Sequence, residues 1–568
     1  MDAFYSCVEA ASIAHVMGRP RLGAEAFTTA TPYRYHSYPG QMKNQTDWAL
    51  AMGINNFMFH TFQHQPLGDD FKPGMSMDAY GVNWHRNQTW WDMLPPYHAY
   101  ISRASHLLQQ GVTVSDVLYL IPEGAPHIFL APPSAYDGED RLRDKRGYGF
   151  DAVSPRLLMD RASIKHGRIA FPEASDYRML VLPDDRTMTP EALQKIIELV
   201  EGGATVVGNP PVKSPSLANY PDVDEQVQSL ALTLWGSLDI PDKMTKHQFG
   251  AGTLFWGKDI YDEAGGEDAF YPSYDRSARV LGELGLVEDF TASENSVRYT
   301  HRRSKGQDIY FVANRSDKTI AVDGTFRVSG MTPELWHPAT GERHALPDYE
   351  EKAGVTSVPL EFAPYESYFV VFSHEAKTVK TGEENFPRFE TVMNVGGSWN
   401  VAFDPEFGGP ENIRFDSLQD WSKHGDRGVK YYSGTAVYTQ TFDLPEGLDP
   451  SGSFSIDLGK AYEMARVTLN GVELGIAWTA PWQVPVGDAL QAKDNVLTVE
   501  VANSWENRLI GDDTPEDSDV RTVQWDSGLL QGEPYKTGRY TFSTIEEGEL
   551  ADLQPSGLIG PVRLIEED

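Results

Sequence analysis

Residues 21–29 read RLGAEAFTT, a short strand-like run that ends in a carboxylate, Glu25, close to the start of the chain. A loop rich in Thr, Pro, Tyr and His follows it. In (β/α) barrels, catalytic side chains are held at the C-terminal ends of strands. A complete barrel needs roughly 200 residues or more, and almost none of that length precedes Glu25. We therefore expect either that the fold is not a barrel or that the chain begins partway through one.

The first 110 residues alternate between helical and strand-like patterns. Residues 3–16 and 39–52 have helical periodicity, whereas residues 21–27 and 54–60 are strand-like. The separation of Glu25 and His60 suits one strand–helix–strand unit. The pattern predicts that both side chains lie at the same end of a parallel sheet.

The pattern of apolar and polar residues changes near residue 111. Apolar strand-like runs at residues 116–121, 177–183 and 204–208 alternate with a helix at 190–201, which has a proline near its start and two glycines after it. This alternation predicts a doubly wound, flavodoxin-like α/β domain over residues 111–245. No GxGxxG or P-loop pattern accompanies these strands, so a nucleotide is not implied.

The helical signal fades after residue 246. Short strands separated by turn residues predict a β-sandwich over residues 246–376. Residues 376–385, rich in Lys, Thr, Gly and Glu, read as a linker. Regularly spaced strands with Gly and Asn turns predict a jelly roll over residues 386–568. The predicted fold class is multidomain, α/β followed by all-β.

Composition excludes several function classes. The chain has 48 basic and 82 acidic residues and a net charge of −34, which argues against nucleic-acid binding because such a surface repels phosphate backbones. Cys7 is the only cysteine, so neither an internal disulfide nor a thiolate metal cluster forms. No apolar run is long enough for a transmembrane helix, so no membrane partner is expected. The N-terminus does not resemble a secretory signal, which says nothing about export if the gene starts upstream.

Two sites at strand ends are candidates for chemistry. Glu25 has small neighbours that leave room for a ligand, as a general base requires; the alternative is a surface glutamate at a strand end. His60 and His64 follow the next strand in FHTFQHQP. Their i, i+4 spacing suits a metal pair only on a helix, and the preceding strand and Pro66 argue against one. We interpret them as hydrogen-bond donors at the rim of a polar site, with a buried, satisfied histidine as the alternative.

Residues 84–92 read WHRNQTWWD, in which tryptophans are interleaved with polar side chains. Sugars present C–H faces and hydroxyl rims, which suit aromatic platforms flanked by amides and guanidinium groups. The pattern predicts carbohydrate contact, with packing between domains as the alternative. The candidate contact residues in this segment are Trp84, His85, Arg86, Asn87 and Trp90.

Other arrangements are weaker. Neither a GxSxG elbow nor an HExxH zinc motif is present. The loop residues Asp69 and Asp70 offer carboxylate oxygens of the kind that calcium prefers, but a solvated turn explains them as well.

These three segments, in this order and spacing, resemble glycoside hydrolase family 106, the α-L-rhamnosidases. Four later strings share the resemblance: LWHPATG at 335–341, APYESYF at 363–369, WENRLIGD at 505–512 and PSGLIGPV at 555–562. The last two, with GTAVY at 434–438 and VTLNG at 467–471, also look like the sugar-binding-like, galactose-binding-like jelly roll of glycoside hydrolase family 2. The resemblance covers essentially the whole chain and is specific as a set.

The resemblance implies a bacterial, inverting glycosidase on a (β/α)8 barrel with calcium at the active site. Residues 1–110 would be the C-terminal part of that barrel. Glu25 matches the later of two family glutamates, the candidate general base, and His60, His64, His85 and Arg86 fall where sugar contacts are expected. The general acid belongs to an earlier barrel strand that this sequence does not contain.

The leading interpretation is an α-L-rhamnosidase-like enzyme that removes terminal rhamnose from plant or algal polysaccharides or glycosides. Its partners would be a rhamnose-containing glycan and the missing N-terminal half of the barrel, and its full-length form would be periplasmic or secreted. We expect the isolated chain to have little hydrolytic activity and to associate. The alternatives are a non-catalytic carbohydrate-binding protein and an enzyme assembled with a separately encoded barrel half.

Overall fold

The chain begins with alternating helices and parallel strands, which we call the barrel segment (residues 1–110). The computed structural model describes residues 3–30, 35–65, 72–74, 77, 80–124, 127–138, 142–261, 270–374, 384–512, 522–523, 541–542 and 552–567. The elements of the barrel segment are α1 (Ala3–Val16), β1 (Gly23–Ala26), β2 (Thr29–Ala30), α2 (Pro39–Ala51), β3 (Asn56–Phe59), β4 (Tyr80–Gly81) and α3 (Pro95–Leu108). The helices and strands predicted at its start are confirmed, with ends that agree or differ by at most two residues.

The α/β domain follows. Its elements are β6 (Val117–Leu120), β9 (Phe150–Val153), α4 (Pro155–Arg161), β13 (Met179–Val181), α5 (Pro190–Glu201), β14 (Thr205–Val207), α6 (Asp222–Trp235), β15 (Thr245–Phe249), β16 (Gly252–Trp256) and α7 (Tyr274–Glu283), with short hairpin strands β7 (Tyr136–Asp137), β8 (Asp144–Lys145), β10 (Ser163–Lys165), β11 (Arg168–Ala170) and β12 (Asp176–Tyr177). The main sheet has the order β15-β16-β14-β13-β6-β9 and is parallel except for β15. Read by chain order, its parallel strands run 2-1-3-4-5, the flavodoxin-like topology.

The predicted boundaries of this domain need correction at both ends. Strand β5 (Val112–Thr113) pairs with the β-sandwich and not with the α/β sheet. β15 and β16, placed in the sandwich by the 245/246 boundary, belong to the α/β sheet. The exposure of β15 alternates along TKHQF because it is the antiparallel edge strand, and that alternation imitates a sandwich strand. Helix α7, where the helical signal was expected to have faded, packs on the same sheet through Val280 and Leu281.

The β-sandwich consists of two sheets that enclose an apolar core. Its strands are β5, β17 (Phe290–Ala292), β18 (Val297–Ser304), β19 (Gln307–Asn314), β20 (Ile320–Phe326), β21 (Thr332–Trp336), β22 (Arg343–Ala345), β23 (Glu350–Lys352), β24 (Val355–Phe362) and β25 (Ser367–Ser373). The sheet orders are β17-β20-β24-β23 and β22-β21-β25-β19-β18-β5. The predicted linker at 376–385 lies almost entirely outside the described residues.

We call the last unit, the described residues from 386 onward, the jelly-roll domain after its predicted fold, and its two sheets also face each other across an apolar core. Its main elements are β26 (Phe389–Asn394), β27 (Trp399–Ala402), β28 (Ile413–Phe415), α8 (Arg427–Lys430), β29 (Thr435–Phe442), β30 (Phe454–Asp457), β31 (Ala461–Tyr462), β32 (Met464–Leu469), β33 (Val472–Ala477), β34 (Gln483–Pro485), β35 (Asn495–Ala502), α9 (Glu506–Asp512), β36 (Thr522–Val523), β37 (Thr541–Phe542), β38 (Gly557–Leu558) and β39 (Arg563–Glu567). The sheet orders are β26-β39-β30-β34 and β28-β27-β29-β35-β32-β33.

Side chains of all four units pack across their junctions. Trp90 and Tyr97 of the barrel segment share one apolar cluster with Phe311 of the sandwich and Trp478 of the jelly roll. His15 of α1 contacts Asp151 of the α/β sheet at 2.9 Å. The barrel segment therefore rests on all three other units. Among the described residues, none of the helices is long and apolar enough to cross a membrane.

A buried charge network ties the α/β domain to the sandwich. His301 lies between Asp289 and Asp308, with nitrogen–oxygen distances of 3.0 and 2.8 Å. Arg327 contacts both Asp289 (3.1 Å) and Asp116 (2.9 Å), which immediately precedes β6. Burial alone would lower the pKa of His301, but the two carboxylates raise it on balance.

Candidate active site

The C-terminal ends of β1 and β3 lie side by side. The strands are parallel, and Glu25 is opposite Met58 in their register. Successive side chains of a strand point to opposite faces. Ala24 and Phe57 pack into the core on the helix-covered face, whereas Glu25 and Met58 are exposed. Glu25 therefore lies on the face away from the helices, which in a (β/α) barrel is the interior.

Residues 82–84 add a third extended segment next to β3. The Thr61 amide donates to the Val82 carbonyl at 2.8 Å, and the Trp84 amide donates to the Thr61 carbonyl at 2.9 Å. In parallel strands, one residue hydrogen-bonds to two residues of the neighbouring strand, one on either side of the residue opposite it. Thr61 bonds to Val82 and Trp84 in this way. Three parallel chain segments thus end together, the first carrying Glu25 and the second followed by His60.

Glu25 is free to meet a water molecule. Its side chain is exposed, and Thr28 Oγ1 donates a long hydrogen bond to Oε1 at 3.4 Å. Its neighbours in the strand are alanines, which leave space around the carboxylate. A carboxylate with this access can take a proton from water.

The two histidines after β3 differ in exposure. His60 is half-buried, and its Nδ1 donates to the Gly81 carbonyl at 3.1 Å, since a carbonyl can only accept. Its ring meets Tyr80 edge to face, with 6.5 Å between centroids. His64 is exposed. The structure therefore holds the His60 ring in one orientation at the strand end.

His85 is a neutral, buried imidazole. Burial, and to a lesser degree Arg86, lowers the pKa of His85 to about 4. Its Nδ1 accepts from the Asn87 amide at 3.3 Å, which leaves the proton on Nε2. Among the described residues, Nε2 has no hydrogen-bond partner. This N–H is a donor held ready in an apolar setting.

Asn83 was missed by the sequence reasoning. It is 1% exposed, and neither atom of its amide has a partner within the described part of the chain. Trp84 stacks on Phe59 on the helix-covered face, so alternation places Asn83 and His85 on the face that carries Glu25. The position of Asn83 beside Trp84 in an extended run could have indicated it as a site residue, but no strand was predicted there.

Arg86 and Asn87 follow at the end of the third segment. Arg86 is exposed, so its guanidinium can reach a ligand. Asn87 is buried, and its Nδ2 donates to Gln65 Oε1 at 3.5 Å. The Asn87 carbonyl accepts from Trp505 Nε1 of the jelly roll at 2.8 Å.

The tryptophans of this segment do not form an exposed platform, which corrects that part of the prediction. Trp84 is 5% exposed and Trp90 is fully buried. Trp84 stacks on Phe59 with 4.6 Å between ring centroids and contacts Trp90 at 5.4 Å. Packing across domains, the alternative interpretation, describes both rings, because their faces are covered by other aromatic side chains.

The calcium site that the family resemblance implies stays a prediction. No group of three or more His, Cys, Asp or Glu side chains suited to a metal occurs among the described residues. Calcium takes six to eight oxygen ligands, whereas these strand ends present one carboxylate and several imidazoles. Asp69 and Asp70 lie outside the described residues.

Comparisons with known proteins agree with this geometry. The family model for glycoside hydrolase family 106, described as alpha-L-rhamnosidase, matches residues 5–351. A rhamnosidase from Novosphingobium sp. PP1Y superimposes on 99% of this chain with a TM-score of 0.81 and 30% identity, and the chain covers 49% of it. A putative beta-glucuronidase of Formosa agariphila is 24% identical over 97% of this chain and 63% of its own length. The chain thus spans less than two thirds of either relative.

Proposed function

The chain belongs to glycoside hydrolase family 106, and from that premise we propose that it carries the general-base side of an α-L-rhamnosidase active site. The reaction is the hydrolysis, with inversion, of a terminal rhamnose in a plant or algal polysaccharide or glycoside. The observation that carries the proposal is the placement of Glu25, exposed at the end of β1 on the barrel-interior face.

In this mechanism Glu25 takes a proton from water. The water oxygen bonds to the anomeric carbon as the glycosidic bond breaks, and a second carboxylic acid gives its proton to the departing oxygen. Inversion needs about 6.5–9.5 Å between the two carboxyl groups, so that the water fits between them. We place the acid on a barrel strand other than the three described segments.

Sugar recognition falls to the polar side chains at the three strand ends. His60, His64 and Arg86 are exposed or half-buried and offer donors to sugar hydroxyls. His85 and Asn87 lie behind them and support the floor of the site. Trp84 and Trp90 support that floor from the core side. We further propose that the full-length form works in the periplasm or outside the cell.

The non-catalytic alternative is less well supported. It depended on tryptophan platforms at residues 84–91, and two of the three rings there are buried. Glycan binding that survives Glu25→Gln but is lost in Trp90→Ala would favour that alternative.

The test is the configuration of the first product. The chain is joined to the part of the Novosphingobium sp. PP1Y rhamnosidase that it does not match, and hydrolysis of an aryl α-L-rhamnoside is followed by proton NMR. We expect β-L-rhamnose as the first anomer, and its loss in Glu25→Gln. Glu350→Gln, an exposed change in the sandwich, is the matched control. Release of the α anomer as the first product, or equal rates of hydrolysis in Glu25→Gln and Glu350→Gln, would contradict the proposal.

A further inference from the structure

The jelly roll touches both loops that form the candidate site. One loop follows β1 and Glu25, and its described part is residues 35–38. The other is residues 85–92, which carry His85, Arg86 and Asn87. Both meet one short stretch of the jelly roll, residues 503–509, which leaves β35 and enters α9.

The first contact is between Trp505 and the second loop. Trp505 is 2% exposed, and its Nε1 donates to the Asn87 carbonyl at 2.8 Å. Thr89 Oγ1 donates to the Asn503 carbonyl just before it. The loop backbone is therefore hydrogen-bonded to the jelly roll next to the residues that face the sugar.

The second contact is between Glu506 and the first loop. Glu506 is fully buried, and its Oε2 lies 3.2 Å from His36 Nδ1. Burial lowers the pKa of His36, and its contact with Glu506 is a close approach of the two polar groups. Tyr35, 2% exposed, packs against Trp505 and Leu509. The loop that follows Glu25 is thus held by a polar contact and by apolar packing.

The jelly-roll stretch is itself fixed from behind. The Asn503 side chain accepts from the Gly434 amide at 3.0 Å and donates to the Tyr432 carbonyl at 2.9 Å. Asn507 donates to the Gln554 carbonyl at 2.7 Å. A stretch anchored in this way can impose a position on what it touches, because its own backbone has little freedom.

We propose that Trp505 and Glu506 are positioning residues of the rhamnosidase site, which hold the two substrate loops in place from the jelly roll. The proposal rests on the proposed function of those loops. It makes the jelly roll a structural part of the active site, because the surface of residues 503–509 is covered by the barrel segment and not free for a separate glycan.

The experiment is hydrogen exchange of the full chain, read by mass spectrometry in peptides that cover residues 35–38 and 85–92. Trp505→Phe keeps an aromatic ring and removes the donor to the Asn87 carbonyl. Amides of residues 85–92 should then exchange roughly fivefold to tenfold faster, which corresponds to the loss of about one hydrogen bond. Glu506→Ala should have that effect at residues 35–38. Glu506→Gln should restore protection, because it keeps the length of the side chain and its polar contact with His36. Trp482→Phe, a partly buried tryptophan on the jelly-roll core, is the control.

Faster exchange confined to the expected loop in each variant, with unchanged jelly-roll strands, supports the proposal. Unchanged loops, equal acceleration in the strands, or no rescue by Glu506→Gln would overturn it. We call the chain joined to the unmatched part of the Novosphingobium sp. PP1Y rhamnosidase the completed enzyme. In it, the same variants should raise KM for an aryl rhamnoside more than they lower kcat. Exchange does not depend on hydrolysis, so an inactive wild type would count against the proposed function and leave the exchange result to decide the role of Trp505 and Glu506.

Discussion

Two parallel sheets in this molecule treat their C-terminal strand edges in opposite ways. Proteins with the flavodoxin-like topology bind ligands in the crevice beside the first and third strands of the sheet, which are β6 and β13 in the α/β domain. That crevice is filled by the chain itself. Glu123 accepts from the Thr189 amide and hydroxyl, at 2.6 and 2.7 Å, and so occupies the N-terminus of α5 where an anionic ligand would sit. Tyr271 donates to the Leu120 carbonyl at 2.9 Å.

In the barrel segment, the described residues leave the equivalent edge uncovered. Glu25 is exposed there, and the described residues supply no partner for the Asn83 amide or for His85 Nε2. A carboxylate is thus a hydrogen-bonded cap in one sheet and exposed in the other. Topology alone predicts a candidate site at both edges. The two edges differ in whether their polar groups are hydrogen-bonded within the described residues.

The largest effect should come from completing the open edge. We predict that the chain alone hydrolyses aryl α-L-rhamnosides more than about 10⁴-fold more slowly than the chain joined to the remaining barrel strands, since loss of acid catalysis alone accounts for about 10²–10⁴. Steady-state rates of the two forms measure this. Turnover by the chain alone at rates typical of intact glycosidases would mean that the edge is already complete.

Histidine titration should separate the barrel segment, through His85, from the junction of the α/β domain with the sandwich, through His301, by the sign of the pH dependence. The raised pKa of His301 means that its stabilisation is complete below the unfolded pKa of about 6.5 and is lost as the pH rises through the folded value. The pKa of His85 is lowered to about 4, so the unfolded chain binds the extra proton between pH 6.5 and 4, and stability falls as the pH falls through that window.

Urea unfolding at a series of pH values checks both signs. His301→Gln should flatten the alkaline side of the stability curve and His85→Gln the acid side, each by up to about 1.4 kcal/mol per pH unit. Parallel curves for wild type and both variants would show that neither histidine changes its proton affinity on folding.

The two glutamates should differ in their contribution to stability. Glu123→Ala removes the acceptor of two hydrogen bonds at the start of α5 and should lower the free energy of unfolding by about 1–3 kcal/mol. Glu25→Ala should change it by less than about 0.5 kcal/mol, because the side chain is exposed. Denaturation midpoints with a common m-value measure both. A large loss in Glu25→Ala would mean that Glu25 is a structural residue.

The smallest effect concerns association through the open face. Met58 is 54% exposed beside Glu25, and Phe62 is 70% exposed nearby in sequence. Met58→Lys should weaken self-association by about tenfold, roughly the effect of leaving one such side chain in water. Leu217→Lys, at an 83% exposed position of the α/β domain, is the control. Sedimentation velocity over a concentration series measures both, and equal behaviour of the variants would locate the association elsewhere.

Local patterns predicted the elements that position the site. The apolar runs around β1 and β3, and the helices between and before them, carried enough periodicity to be recognised. The same logic failed at β15, because an edge strand with alternating exposure looks alike in a sandwich and in an α/β sheet. It also failed at Trp84 and Trp90, since interleaved aromatic and polar residues occur both at sugar sites and where a core meets a surface.

Contacts between distant parts of the chain had no local signal. The Trp505 contact with Asn87 and the Glu506 contact with His36 join residues more than 400 positions apart. The string WENRLIGD at 505–512 resembles the jelly roll of glycoside hydrolase family 2, but its contact with the barrel segment depends on how the domains pack. That the described residues supply no partner for the side-chain amide of Asn83 likewise follows from tertiary structure.

The central claim is that the open edge of the barrel segment holds the base and the filled edge of the α/β domain holds none. The most direct measurement is kcat of the completed enzyme for an aryl α-L-rhamnoside, in wild type, Glu25→Gln and Glu123→Gln. We predict that Glu25→Gln lowers kcat by about 10²–10⁴-fold and that Glu123→Gln leaves it within a few-fold. Equal kcat in wild type and Glu25→Gln would contradict the account.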